Sequence, residues 1–275
     1  MNKFAKSAAA ALIAGVSFAA SATLVIDDFT LQQGLNPNLL KDSTTDGIGK
    51  WSSVSPGAGI LGGERDLFIT ALTTDGFDAG VGVNVSGGLL KYSTDTGASG
   101  RSIIKWDGTQ NSLTSGTVQA ATEAAFNSTL TMGLGGLNLT DFGNAFKIRV
   151  KESDLGFDFA LAVYSSLTDY SILVLEAVAH TNFNPDSSPI TFADFAGPTG
   201  WVGAPGASAF RQTFGAGANF ANVNAMTATI NFSGSTAEID LQIDSANVVP
   251  EPASLALVGI ALLGLGAVRR RTARK

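Results

Sequence analysis

The sequence predicts an all-β domain, a two-layered β-sandwich of jelly-roll-like winding, with one apolar helix at each end of the chain. Three observations carry this reading. Apolar and polar residues alternate with a period of two in short runs, as in Phe146, Ile148 and Val150 against Lys147, Arg149 and Lys151. Gly, Asp, Ser and Thr break these runs at close intervals, so the strands are brief and the connections tight. Helical periodicity is scarce between residues 23 and 249, and 17 phenylalanines describe a core better than a surface.

The chain begins with Lys3 and Lys6 ahead of an apolar stretch from Ala8 to Ala20, and Ala20-Ser21-Ala22 has the small-x-small form that signal peptidase cuts. Cleavage is expected before Thr23, with Ala20 and Ala22 as the recognised residues. A retained anchor is the alternative; the short apolar core and the change to polar sequence at Asp27 and Asp28 argue for removal.

Residues 23–248 then form one domain, long enough for one substantial core. In its first half, strands are expected at Leu24 to Phe29, Asp66 to Ala71, Val81 to Val85, Leu89 to Tyr92 and Ser102 to Trp106, with turns at Gly62-Gly63, Gly87-Gly88 and Asp107-Gly108. Thr117 to Ala125 is the one stretch that suits a short helix, with Thr122 or Ser115 near its start. Gly135 to Leu139 reads as a bend and strand joining the two halves.

In the second half, Phe146 to Val150 and Phe157 to Val163 alternate as strands. Tyr170 to Val178 is apolar on both faces until Glu176, the pattern of a strand covered on two sides. Asn182 to Ala218 is rich in Pro, Gly and Ala and is expected to be loop, with Phe192, Phe195, Trp201 and Phe210 as anchors. Ala228, Ile230 and Phe232, then Ser233-Gly234-Ser235, then Ala237, Ile239, Leu241 and Ile243 read as a hairpin.

Residues 249–275 are the most informative. Val249-Pro250-Glu251-Pro252 precedes an uncharged apolar run, Leu255 to Val268, and then Arg269, Arg270, Arg271, Arg274 and Lys275. With Ala253 and Ser254 the run approaches the shortest membrane-spanning helix, about 17 residues. The basic cluster belongs on the cytoplasmic side, which leaves everything before Val249 outside the inner membrane. The two prolines keep their segment extended and apart from the helix behind it, open to a protease.

This three-part tail resembles the PEP-CTERM sorting signal of bacterial surface proteins. The resemblance implies recognition by an exosortase in the inner membrane, cleavage near Pro250, Glu251 and Pro252 as substrate residues, a cytoplasmic anchor at Arg269, Arg270 and Arg271, and transfer of the domain to the cell surface or exterior. It also implies company with exopolysaccharide and biofilm. The segments Ile26 to Phe29, Gly62 to Leu67 and Ile104 to Gly108 resemble the body of a subgroup of such proteins, which implies a sandwich of the kind seen in carbohydrate-binding modules.

Chemistry is sparse by comparison. Residues 23–249 hold ten Lys or Arg against twenty-two Asp or Glu, so no basic patch suits nucleic acid. The chain has no cysteine, hence no disulfide and no thiolate nucleophile. His180 is the only histidine, which rules out a multi-histidine zinc site, and Gly-x-Ser-x-Gly is absent. Scattered acids single out no glycosidase pair, so an enzyme is not expected. A structural calcium ion is the better use of some of them, and Asp27, Asp28, Asp107 and Asp240 are the candidate set if the terminal strands meet. Trp106 and Trp201 are the candidate carbohydrate contacts. The function expected is that of an exported, non-enzymatic surface or matrix protein associated with extracellular polysaccharide; the alternatives are a carbohydrate-binding module and, behind it, a polysaccharide-active enzyme.

Overall fold

The computed structural model describes residues 23–250 apart from 77–78, 109–115, 178, 180–188 and 205–206. The elements in order are β1 (Leu24–Asp27), β2 (Lys41–Asp42), β3 (Gly49–Val54), β4 (Arg65–Thr73), β5 (Val81–Ser86), β6 (Leu89–Thr94), β7 (Ser99–Trp106), β8 (Gln119–Ala121) and helix α1 (Glu123–Ser128), followed by β9 (Ala145–Ser153), β10 (Phe157–Tyr164), β11 (Tyr170–Ala177), β12 (Ile190–Thr191), β13 (Gly200–Ala204), β14 (Ala207–Phe214), β15 (Ala225–Ile230) and β16 (Asp240–Val249). They form two antiparallel sheets. One runs β12-β9-β16-β6-β5-β2, with β1 also against β16; the other runs β13-β14-β11-β10-β15-β7-β4-β3-β8.

The sheets lie face to face in a sandwich-like arrangement. Leu90, Tyr92 and Ile243 from the first meet Leu67, Leu161 and Leu173 from the second in one buried cluster. Alternation puts every second side chain of each strand into it. The expected all-β, two-layered class is therefore present. Among the described residues no helix is long and apolar enough to cross a membrane. The expected terminal helices, with Ala20, Ala22, Glu251, Pro252, Arg269, Arg270 and Arg271, lie outside the described residues, as does His180.

Several expectations are corrected. The hairpin over 228–243 does not form: β15 pairs with β10 and β7, whereas β16 pairs with β9, β6 and β1 in the other sheet. Asn231 and Glu238 take positive φ, and the buried Asn231 amide donates to Gly100 O at 2.7 Å and Thr236 O at 2.8 Å, which turns the chain across the sandwich. Period-two alternation marks a strand but is blind to its partner.

β16 also continues well past Ile243. A bulge near Asp244 shifts the inward set from Leu241 and Ile243 to Ala246 and Val248, so the alternation changes parity there and hides the second half.

β11 is interior to its sheet, yet its outward residues Ile172 and Val174 are only partly buried; strands buried on both faces include β4, β7 and β10. The helix starts later than expected, capped by Thr122 Oγ1 accepting from Ala125 N at 3.1 Å, and Gln119 to Ala121 is strand. The loop expected over 182–218 contains the β13–β14 hairpin. β3 has no strand signal because its Ser52 and Ser53 read as turn residues; both are buried and hydrogen-bonded.

Candidate functional site

Two polar networks and one groove stand out. The first network is fully internal. Arg65 at the start of β4 and Asp27 at the end of β1 are 0% exposed, and Arg65 Nη1 lies 2.9 and 3.1 Å from the two Asp27 oxygens. Trp106 Nε1 donates to Asp27 Oδ2 at 2.9 Å, and Phe29 N donates to Oδ1 at 2.9 Å. Arg65 Nε donates to Gln33 Oε1 at 2.8 Å, while Gln33 Nε2 reaches Ser52 O at 2.9 Å. Burial pushes the Asp27 carboxyl up and the Arg65 guanidinium down, and each partner opposes the other's shift. Asp27 and Trp106 are thus bound to each other inside the protein. Trp106, at 2% exposure, is not a sugar platform, which corrects that expectation.

The second network supports the outer face of the nine-stranded sheet. Lys105 Nζ lies 3.5 Å from Asp66, donates to Phe126 O at 3.0 Å and sits 4.0 Å from the Phe126 ring centre. Phe126 is the buried residue of α1 and packs with Trp51, Phe68 and Ile103 in a second, smaller core. Burial raises the Asp66 carboxyl to about 6 against the pull of Lys105, with Glu64 and Asp107 adding to the rise. The helix is consequently fixed over β3, β4 and β7.

The register explains what lies beside it. One row of directly opposed, outward-facing residues runs Trp201, Phe210, Val174, Ala160, Thr229, Ile103, Phe68 and Trp51. Large side chains stand at both ends and small ones in the middle, over β10 and β15. The result is a groove of about 210 Å³ with Ala160, Ala162, Thr227 and Thr229 along its floor. Arg101, Glu123, Asn127 and Leu130 line it on the β7 and α1 side, Ile172 lines it on the β11 side, and Tyr164 and Phe232 lie toward its two ends. Arg101 Nη1 is 3.5 Å from Glu123 Oε1, and Arg101 Nε is buried without a hydrogen bond.

Tyr164 heads a row of stacked rings: Tyr164 and Tyr170 are 4.7 Å apart, Tyr170 and Phe214 are 4.3 Å apart, and their planes are tilted by 24° and 11°. Rings stacked across neighbouring strands stand upright and cover one another's faces. Only the two end faces are left, and that of Tyr164 looks toward β15. Burial raises the Tyr164 hydroxyl, and its hydrogen bond with Thr227 opposes the rise.

The other anticipated residues are dispersed. Asp28 Oδ1 accepts from Thr30 N and Oγ1 at 3.0 and 2.7 Å. Asp107, buried after β7, accepts from Thr131 N at 2.9 Å. Asp240 opens β16 in the opposite sheet, where burial and the neighbouring Asp154, Glu152 and Asp95 raise its carboxyl. Among the described residues no three His, Cys, Asp or Glu side chains gather where they can hold a metal ion. Trp201 is 73% exposed and meets Phe210 edge-on at 5.3 Å between ring centres.

Sequence reading missed the groove. The available signal was small residues at alternate positions of otherwise bulky strands: Ala160 and Ala162 among Phe159, Leu161 and Val163, and Thr227 and Thr229 among Met226, Ala228 and Ile230.

Comparison with known proteins adds one match. The family model described as the PEP-CTERM protein-sorting motif covers residues 248–271. No curated protein and no solved structure matches the chain.

Proposed function

Since this chain carries a PEP-CTERM sorting motif and is an exported surface protein of the exosortase system, we propose that it acts there as a non-enzymatic matrix component associated with exopolysaccharide. In this proposal signal peptidase removes residues 1–22 after Ala22. The apolar helix over 255–268 then holds the chain transiently in the inner membrane, with Arg269, Arg270 and Arg271 on the cytoplasmic side. Exosortase acts near Pro250, Glu251 and Pro252, and a jelly-roll-like sandwich is delivered to the surface.

The observation that carries the proposal is the junction of motif and domain. The matched region begins at residue 248, and Val248 and Val249 are the last residues of β16, paired with Phe146 and Ala145. The sorting signal is thus joined directly to the sheet, and what is sorted is the sandwich itself.

Fractionation of an exosortase-bearing strain and its exosortase deletion tests this. The protein is expected in the polysaccharide-rich matrix of the first and in the membrane fraction of the second. The same distribution in both strains would sink the proposal. A second reading, a carbohydrate-binding module, is favoured by the groove over β10 and β15.

A further inference from the structure

We propose that the groove over β10 and β15 on the outer face of the nine-stranded sheet binds a chain of neutral pyranose sugars. This rests on the matrix reading above and names the contact through which it operates.

Shape is the first argument. Neighbouring strands are about 4.8 Å apart, so a floor two strands wide takes the width of one sugar chain. Ala160, Ala162, Thr227 and Thr229 keep that floor low. The same row of the sheet carries bulky residues on both sides, Phe210 toward one end and Ile103 and Phe68 toward the other. The sandwich core does not require this, since all four floor residues point away from it.

The lining chemistry is the second. A pyranose has an apolar C–H face and a rim of hydroxyls. The unstacked face of Tyr164 suits the former. Thr227, Thr229, Asn127 and the Arg101–Glu123 pair supply donors and acceptors for the latter. Arg101 keeps donor capacity at its guanidinium tip, because its side chain is partly exposed and its contact with Glu123 is 3.5 Å long.

Charge selects a neutral ligand. Within the groove Arg101 is matched by Glu123, and Lys105 is matched by the buried Asp66 beside it. Each cation of the lining already faces a carboxylate, and the surrounding domain carries about twice as many acids as bases, which disfavours a uronate. Among the described residues Glu123 is the single carboxylate of the lining, which suits the groove to binding.

The test titrates the processed protein, purified from the surface fraction, with cellohexaose, laminarihexaose and mannohexaose, and with an acidic alginate hexamer, by calorimetry. At least one neutral hexasaccharide is expected to bind at least tenfold more tightly than the acidic one. Ala162→Phe, which fills the floor, and Tyr164→Ala, which removes the ring, are each expected to weaken it at least tenfold while the protein still unfolds in one cooperative transition. Trp201→Ala is expected to leave binding as it was.

Saturation by none of the neutral sugars overturns the assignment, and so does wild-type affinity in Ala162→Phe or loss of binding only in Trp201→Ala. A dimer that Ala162→Phe converts to monomer, with no response to sugar, overturns it in favour of a second copy of this chain. A protein found in the matrix that binds no neutral sugar defeats the groove and spares the matrix reading; a sugar binder absent from the matrix does the reverse.

Discussion

At the scale of single residues, the decisive pair is Asp27 and Arg65, two charges with 0% side-chain exposure that no surface reading of the sequence brings together. Removing one partner leaves the other buried and uncompensated, which typically costs about 3–5 kcal/mol. Arg65→Ala is therefore expected to lose most of the domain's stability in urea denaturation, while Asp27→Asn with Arg65→Met, which removes both charges and keeps an acceptor for Trp106 Nε1 and Phe29 N, is expected to lose less. Equal loss in both variants would show that the ion pair is not the source. Asp66 makes a separate prediction about pH. Its carboxyl is raised from 3.8 to about 6, so the folded protein binds the proton more tightly than the unfolded chain. The resulting stabilisation is complete below about pH 4, falls as pH rises to 6, and is gone above it, a decline on the order of 3 kcal/mol. Asp66→Asn should remove most of that slope, leaving what Asp27 adds in the same direction; an unchanged slope would refute the assignment.

At the scale of elements, α1 is too short to be stable by itself and depends on Phe126 and the capping Thr122. Phe126→Ala is expected to cost about 3 kcal/mol and to raise amide exchange across 123–128, because the ring packs on Trp51 and Phe68 at 5.6 and 4.9 Å. Protection of those amides at the wild-type level would mean that something else holds the helix. The same substitution opens one flank of the groove, so helix and groove are expected to weaken together. The crossing from β15 to β16 shows how an element can be legible while its neighbour is not. Ile230, Leu241 and Ile243 face inward as the alternation predicts, but the alternation is equally satisfied by a hairpin and by strands in opposite sheets.

At the scale of the whole molecule, the position of the sorting signal restricts where it can be cut. β16 lies inside its sheet, between β9 on one side and β6 and β1 on the other, and Val248 is fully buried. Cleavage before Val249 would take residues from that strand, whereas cleavage beyond it leaves both sheets whole. Intact mass of the surface-purified protein is expected to show a chain that begins at Thr23 and still contains Val249. A mature C-terminus upstream of Val248 would contradict this, and retention of Arg269 to Lys275 would contradict processing altogether.

The sequence by itself determined the destination and the class of fold. The tail is contiguous and its parts act in linear order, so Pro250, Glu251, Pro252, the apolar run and the arginines could be read without folding the chain. Strand character is likewise local, since it needs only a period of two. Only the tertiary structure decided which strands are neighbours, that Asp27 meets Arg65 and Trp106, and that Ala160 lies beside Thr229 to make a groove. Those facts depend on residues 38 to 79 positions apart, or more, being brought within hydrogen-bond or strand-pairing distance. That proximity comes from burying two sheets against each other, a cooperative choice that no short stretch of residues encodes.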